Sequence, residues 1–310
     1  MRVFITGGSG LTGPVIVSEL LSAGHSVLGL ARSDAAAARL EKLGATAHRG
    51  SLDDLESLRA GAAQADGVIH MAFGGDFSDP DSMMRRDRTA IETLGQVLVG
   101  SGKPFVSTSG TLVMRPGHEA HEEEAPDPQS IAAFRIPGEQ ACLAFAKQGV
   151  RSSNVRLAPT VHGPGDYGFV PMLVATARRT GVSAYIGSGD QRWPAVHRLD
   201  AAVLYRLALE KAPPGTALHG ASENVTLRSI AEKIGQKLGL PVRSVTPADA
   251  AAHFGNPFMA RVFATDSPAS SARTQALLGW RPSHATLLED LETGDYFDQR
   301  HFEQRYFEQH

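Results

Sequence analysis

The sequence predicts an α/β protein whose core is a doubly wound parallel sheet, with a smaller C-terminal substrate lobe interleaved with it. Short apolar runs alternate with helical patterns through the first half of the chain. Such alternation implies crossover connections that cover both faces of a parallel sheet. A glycine-rich loop at residues 6–13 stands between the first apolar run and the first helical pattern. The length of 310 residues suits one large α/β domain with an appended lobe.

Six strands are predicted in the first half from short segments between the helical patterns, most of them apolar, at residues 3–5, 27–30, 45–48, 68–71, 104–107 and 153–157. Helical spacing of apolar residues predicts helices between them, at residues 15–21, 35–43, 53–62, 89–99 and 139–147. Ser51 is the predicted N-cap of the third helix. Pro137 disfavours helical geometry at Ile136, so we expect the fifth helix to begin after that residue.

The pattern changes after Ala158. Residues 161–168 are rich in glycine and proline and predict a loop. Helices are predicted near 170–179, 200–209, 229–238 and 271–278, with Asp200 capping the second of these. A run at 217–219 can return as a strand to the main sheet. We therefore assign residues 1–160 to a dinucleotide-binding domain and residues 161–310 mostly to a substrate-binding lobe. The C-terminal tail carries Tyr296, Phe297, Phe302, Tyr306 and Phe307 among charged residues, and it packs on the body, lies at a dimer interface or frays.

The glycine loop is the strongest functional signal in the sequence. Gly7 permits a tight turn, Gly10 lets the backbone approach a pyrophosphate, and Gly13 lets the helix pack against the sheet. The N-terminus of the following helix offers unpaired N–H groups to the phosphates. The alternative is merely a tight turn between strand and helix. We predict a Rossmann-type dinucleotide site that includes Gly7, Ser9, Gly10, Leu11, Thr12 and Gly13.

The end of the second predicted strand favours NADP, as NADPH, over NAD, which is also possible. The dinucleotide fingerprint places an acidic residue there to hold the ribose hydroxyls, whereas this chain has Arg32 and Ser33. A guanidinium can bind a phosphate with two hydrogen bonds and stack on adenine. We predict that Arg32 and Ser33 hold the 2′-phosphate. In the alternative, Arg32 is a solvated charge and Asp34 holds the ribose.

Composition and charge argue against several other classes of protein. Hydrophobic residues make up 42% and charged residues 20% of a chain with net charge −3, so we expect a globular protein without a nucleic-acid partner. The single cysteine, Cys142, excludes a disulfide framework within the chain and favours a reducing compartment. The absence of long apolar runs and the strand at the N-terminus predict no membrane span, no signal peptide and a cytoplasmic location. His118 and His121 lack metal-ligand spacing, and no metal site is predicted.

The glycine loop resembles the TGxxGxxG loop of extended short-chain dehydrogenases, the relatives of nucleotide-sugar epimerases and 3β-hydroxysteroid dehydrogenases. Segments 67–72, 105–109, 156–166 and 196–200 are also similar to that family and occur in its order. The resemblance implies that Ser109 is the active-site serine. It also implies further cofactor contacts at Ser51, where the family often has aspartate, and at Leu52, Met71, Ala72, Phe73 and Pro159.

The chain departs from this family at the catalytic pair. The family's proton donor is a tyrosine followed four residues later by lysine, about 25 residues past the serine. Here those positions hold Phe134 and Gly138, and none of the five tyrosines has lysine four residues later. Ser109 remains to polarise an oxygen, and Tyr167 is a second catalytic candidate or else a surface aromatic. Arg135 can supply the lost positive charge, but we expect an exposed arginine at a helix start.

These observations predict an NADP-dependent reductase of a small, fairly apolar carbonyl or cyclic imine compound. A protonated imine already carries its proton, so hydride transfer to it needs orientation and shielding more than a general acid. Phe134 suits a flat cationic or aromatic substrate. An alternative of another class is an NADP-sensing regulatory protein without turnover. Nucleotide-sugar epimerisation is less favoured because it needs a base. A homodimer is the default assembly.

Overall fold

Seven parallel strands form the central sheet of the protein, whose computed structural model describes residues 1–74 and 79–298. The strands of the described chain are β1 (Arg2–Thr6), β2 (Ser26–Ala31), β3 (Thr46–Arg49), β4 (Gly67–His70), β5 (Pro104–Gly110), β6 (Arg151–Leu157), β7 (Thr160–His162), β8 (Ser183–Ile186), β9 (Arg192–His197), β10 (Thr216–Gly220), β11 (Glu223–Thr226) and β12 (Val242–Val245). The central order is β10-β6-β5-β4-β1-β2-β3. The chain winds outward from β1 in both directions, so the predicted doubly wound fold is confirmed.

Helices cover both faces of this sheet. The helices of the described chain, some of which pack in the second lobe instead, are α1 (Gly13–Ser22), α2 (Asp34–Lys42), α3 (Leu55–Ala63), α4 (Pro80–Leu98), α5 (Ile136–Ala144), α6 (Phe169–Thr180), α7 (Arg198–Lys211), α8 (Leu227–Leu238), α9 (Pro247–Phe254), α10 (Pro257–Phe263), α11 (Ala272–Leu278) and α12 (Leu287–Thr293). Successive side chains of β1 point to opposite faces of the sheet, and each face is covered by a different layer of helices. Val3 and Ile5 pack in one buried cluster with residues of α1 and α7, whereas Phe4 packs in another with residues of α3 and α4.

The second lobe has its own core but shares secondary structure with the first. Two small sheets, β11-β9-β7 and β12-β8, pack with α6, α8 and α10 around Trp193 and Phe263. The helix α7, although it follows residue 160, packs on the main sheet, and β10 pairs in parallel with β6 at the sheet edge. This is the strand predicted at 217–219, and it is the reason that the lobes are interleaved.

Two predicted helix starts are wrong. Asp54, not Ser51, caps α3, and its side chain accepts a hydrogen bond from the Ser57 N–H at 3.1 Å. The helix α5 begins at Ile136 with Pro137 in its first turn. Proline is tolerated there because the first N–H groups of a helix have no partner within it.

Two predictions in the second half also need correction. The predicted loop begins with strand β7, which extends to His162, so only the part after it is a turn. Asp200 lies inside the first turn of α7, whose N-cap is His197. Tyr296 and Phe297 pack in the core of the second lobe, whereas the other aromatic residues of the tail, Phe302, Tyr306 and Phe307, lie outside the described residues.

Candidate cofactor and substrate site

A cavity of about 800 Å³ opens at the carboxyl ends of β1, β2, β3 and β4. This is where doubly wound sheets bind ligands, because the loops that follow neighbouring strands converge there. Ten residues predicted to contact a cofactor line the cavity: Gly7, Ser9, Gly10, Leu11, Arg32, Ser33, Ser51, Leu52, Ala72 and Phe73. The second lobe closes one side with Pro164, Gly165, Tyr167 and Arg198. The shape is therefore that of a cleft between the two lobes.

The glycine loop owes its shape to close backbone contacts. Gly7 has φ +79°, and a Cβ there would lie 2.8 Å from the Ala72 nitrogen. A Cβ on Gly13 would lie 2.2 Å from the Gly7 carbonyl oxygen, so a side chain would force α1 away from the strand. Gly10 differs, since its Cβ would approach only the Gly7 oxygen, at 3.3 Å, and its own surface faces the cavity. These contacts agree with the three roles that the spacing suggests.

The far end of the cavity, beyond β2 and β3, is lined by arginines. Arg32 and Arg39 form no hydrogen bond or ion pair with another residue in the described part of the chain. Asp34, the alternative ribose ligand, instead pairs with Arg49 and does not line this cavity. The one acidic residue in the described lining is Asp53, which pairs with Arg86 at 2.9 Å. The free charge at this end is thus positive.

Four predicted cofactor residues do not line the cavity. Thr12 is the N-cap residue of α1, and Gly13 packs against the loop. Met71 supplies backbone that a Cβ on Gly7 would approach to 3.1 Å. Pro159 lies beyond β6, outside the lining residues. The first three support the loop from behind, so a direct cofactor contact by any of the four stays a prediction.

Ser109 does not line the cavity, so its catalytic role stays a prediction that the geometry does not support. The residue is 6% exposed, and its hydroxyl lies 2.7 Å from a carboxylate oxygen of Glu139 and 2.7 Å from the amide oxygen of Asn154. Glu139 is itself held by Arg156 through contacts as short as 2.6 Å. Alternation along β5 explains the direction, because Ser109 lies on the same face as Phe105, which packs with α4 and α5 residues.

Arg135 is buried at the edge of the site, and the expectation of an exposed arginine is wrong. Its side chain is only 11% exposed. One guanidinium nitrogen donates to the Thr108 carbonyl at 2.6 Å, and the guanidinium carbon lies 3.5 Å from the centre of the Phe73 ring. Phe134 stacks on the same ring with 6.3 Å between centroids. Burial lowers the pKa of Arg135, and the nearby Asp87 carboxylate opposes that change.

A chain of buried polar groups connects Arg135 to Thr6, the last residue of β1 before the glycine loop. The Ala72 N–H donates to the Thr6 hydroxyl, which lies 2.8 Å from Nδ1 of His70. If the hydroxyl donates there, Nε2 of His70 carries the hydrogen that bonds Asp87 at 3.2 Å. The other oxygen of Asp87 lies 3.5 Å from Arg135. Asp87 thus sits behind the guanidinium and fixes its position.

Tyr167 lines the cavity and is 40% exposed, so the structure brings this catalytic candidate to the site. The neighbouring Asp166 is half-buried and accepts hydrogen bonds from the Gly168 N–H at 2.6 Å and the Tyr296 hydroxyl at 3.0 Å. Burial is the main cause that raises the pKa of Asp166 to about 6. Arg198 donates to the Leu11 carbonyl at 2.8 Å and so ties this lobe to the glycine loop.

Two histidines and one carboxylate lie close enough together to be considered as a metal site, although the sequence predicts none. His197, Asp200 and His284 have potential ligand atoms within 4.8 Å of one another. The Asp200 carboxylate already accepts hydrogen bonds from the N–H groups of Ser283 and His284, and it lies 2.7 Å from the ring of His284. Those bonds hold the segment before α12 against α7, which accounts for the group as a structural contact.

A family model now explains this combination of sheet, glycine loop and second lobe. The model described as the NAD dependent epimerase/dehydratase family matches residues 3–219. The chain belongs to this family. Membership makes it an NAD(P)-dependent protein of the short-chain dehydrogenase type, among which both oxidoreductases and epimerases occur. The resemblance drawn from the sequence motifs is thereby confirmed.

Relatives from the epimerase/dehydratase family differ widely in their sequence identity to this chain. An uncharacterized protein of Schizosaccharomyces pombe is 47% identical over 298 residues, which cover 96% of this chain and 100% of the relative. A 2-alkyl-3-oxoalkanoate reductase of Stenotrophomonas maltophilia is 26% identical over 257 residues, which cover 78% of this chain and 77% of the reductase. The solved structure of MoeE5 in complex with UDP-glucuronic acid and NAD has a TM-score of 0.75 at 22% identity, covering 97% of this chain and 99% of MoeE5. That similarity establishes the fold.

Several charged residues that line the cavity were not predicted from the sequence. Arg39, Asp53, Arg86 and Arg198 all line the cavity. Arg39 lies in the helix α2, which begins two residues after Arg32, so its nearness to Arg32 could have been suspected from the sequence. The other three depend on contacts between distant segments. Among the described helices, none is both long and apolar enough to span a membrane.

Proposed function

We propose that this protein is an NADP-dependent reductase of a small, fairly apolar carbonyl or cyclic imine compound. It would work without a tyrosine–lysine pair, since no tyrosine in the sequence has lysine four residues later. When bound, NADPH supplies the hydride. The chain's own residues bind and orient the cofactor and substrate and exclude water from between them.

The arginine-lined end of the cavity is the observation that carries the choice of NADP. A 2′-phosphate needs cations that are not already paired, and Arg32 and Arg39 meet that condition among the described residues. An NAD site of this fold uses a carboxylate at the end of the second strand, whereas the carboxylate here, Asp34, lies outside the cavity lining and forms an exposed ion pair with Arg49. The positive charge also suits the remaining phosphates of the dinucleotide.

Apolar side chains support the choice of substrate. Beyond β4 and β5, Phe73 and Phe134 stack beside a cluster that contains Val113, Ala132 and Ile136. Such surfaces favour a compound with little polar surface besides the group that is reduced. The name of the Stenotrophomonas relative, a reductase of an oxoalkanoate, supports reduction of a carbonyl compound over epimerisation.

The test is NADPH oxidation, followed by the loss of its absorbance, with a mixed panel of apolar ketones and cyclic imines. We expect turnover with members of one or both classes and much less with NADH. A UDP-sugar panel serves as the control for epimerase activity. If NADPH binds in calorimetry but no member of either class is reduced, the proposal is wrong and a cofactor-sensing role is the better account.

A further inference from the structure

The buried guanidinium of Arg135 lies where the nicotinamide half of a dinucleotide is expected. The glycine loop after β1 receives the pyrophosphate. Arg32 follows β2 and Ser51 follows β3, so the adenosine half extends to that side of the loop. The other half must extend over β4 and β5, which are the next strands on the opposite side of β1. Arg135 contacts Phe73, just beyond β4, and Thr108 in β5.

The charge of Arg135 is directed towards this half-site. Its countercharge, Asp87, is buried on α4 and is engaged by His70. The guanidinium itself lies against the ring of Phe73, which lines the cavity. One of its nitrogens, Nη1, is buried, makes no hydrogen bond with any described residue and lies 3.5 Å from an Asp87 carboxylate oxygen. A fixed cation is thus held between Asp87 and the ring of Phe73.

We propose that Arg135 makes the nicotinamide half-site select against positive charge, so that it prefers the reduced cofactor and an uncharged carbonyl substrate. This inference rests on the proposed function and narrows it. The oxidised nicotinamide ring carries a positive charge and the reduced ring carries none, so a neighbouring guanidinium destabilises binding of the oxidised form. An iminium ion meets the same repulsion. Phe73, whose face would otherwise suit a cation, already contacts Arg135.

A carbonyl substrate gains from the same charge. As the carbon receives the hydride, the electron pair of the C=O π bond moves to the oxygen, and water then supplies the proton that completes the alcohol. The negative charge that develops on the oxygen is stabilised by a preorganised cation. Arg135 acts here through the field of its charge and does not donate a proton, because a guanidinium does not release its proton near neutral pH.

The experiment compares the dissociation constants of NADP⁺ and NADPH by calorimetry, since the two differ in charge at the nicotinamide ring. In the wild type we expect NADPH to bind more tightly. Arg135→Met keeps a long side chain against Phe73 but removes the charge, and it should lower the NADP⁺/NADPH ratio of dissociation constants by about tenfold. Arg135→Lys keeps the charge and should retain most of the ratio.

Two further variants keep the test decisive. Arg135→Met leaves Asp87 buried without its partner and can fail to fold, so the double variant Asp87→Asn/Arg135→Met, which removes both charges, should show the same lowered ratio. Asp87→Asn alone leaves the cation without its countercharge and should raise the ratio above that of the wild type. A merely structural role of Asp87 would weaken both cofactor forms equally.

The outcomes separate the two proposals. An unchanged ratio in the folded Arg135→Met or double variant overturns this inference but leaves an NADP-dependent reductase intact. Faster wild-type turnover of a cyclic iminium than of the ketone with the same ring also overturns it. If the wild type binds neither form of the cofactor, the proposed function fails and this inference fails with it.

Discussion

Substitution of Gly10 by valine should separate cofactor binding from folding. A Cβ at this position would approach one atom, the Gly7 carbonyl oxygen at 3.3 Å, and the φ angle of Gly10 is not in the left-handed region. A shift of a few tenths of an ångström relieves that contact. The substitution also restricts the unfolded chain, so we expect the free energy of unfolding without cofactor to change by less than about 1 kcal/mol.

The same side chain projects from the surface that the pyrophosphate must approach. Losing one charge-assisted hydrogen bond costs about 1.5–3 kcal/mol, which corresponds to roughly 10- to 150-fold weaker binding. The assay is calorimetric titration with NADPH, paired with thermal unfolding of the free protein. Gly13→Ala is the matched contrast, because its Cβ would lie 2.2 Å from a backbone oxygen and should destabilise the fold itself, by about 1–3 kcal/mol. Unchanged NADPH affinity in Gly10→Val would refute the placement of the pyrophosphate.

Three further predictions follow from individual contacts. Arg32→Ala should weaken NADPH by about tenfold or more in calorimetry and spare NADH, whereas equal losses for both would contradict the 2′-phosphate contact. Ser109→Ala should lower the free energy of unfolding by about 1.5–3 kcal/mol, because it removes a hydrogen bond to the buried Glu139 carboxylate. It should leave NADPH affinity and turnover within about threefold, and a loss near 10²-fold would restore its catalytic role. Burial raises the pKa of Asp166 from 3.8 to about 6. Between these pH values the folded state keeps a proton that the unfolded state has already released, so the folded state loses stability as pH rises through this range. Relative to Asp166→Asn, the wild type should therefore lose on the order of 3 kcal/mol between pH 4 and pH 7 in chemical denaturation, and a parallel pH profile for both would contradict this.

The sequence was sufficient for the parts of the protein that local patterns determine. The strands β1 to β6 and the glycine loop follow from apolar runs and from glycine spacing, and both are local properties. The direction of Ser109 was also available, because alternation along β5 pairs it with the apolar Phe105. The family resemblance to an active-site serine outweighed that signal, and the hydroxyl instead bonds to α5 and β6.

The surroundings of Arg135 could not be obtained in this way. Counting a fixed interval from Ser109 assumes that the intervening chain has the family's length, whereas contacts decide which residue reaches the site. Arg135 is defined by Phe73, Asp87 and Thr108, which lie 62, 48 and 27 positions earlier in the sequence. A weak local signal existed, since the arginine stands between Phe134 and Ile136 at the start of a helix. Such a setting is unusual for a fully solvated charge.

The choice of arginine at this buried position bears on what the site can do. A lysine in a desolvated place readily loses its charge, because burial lowers the pKa of an ammonium group. Burial also lowers the pKa of Arg135, but a guanidinium starts far above neutral pH and stays charged. The position therefore keeps a cation and gives up a group that can exchange a proton. Together with the absence of a tyrosine–lysine pair from the sequence, this favours a reduction that relies on stabilising charge on the substrate oxygen, with the proton taken from water.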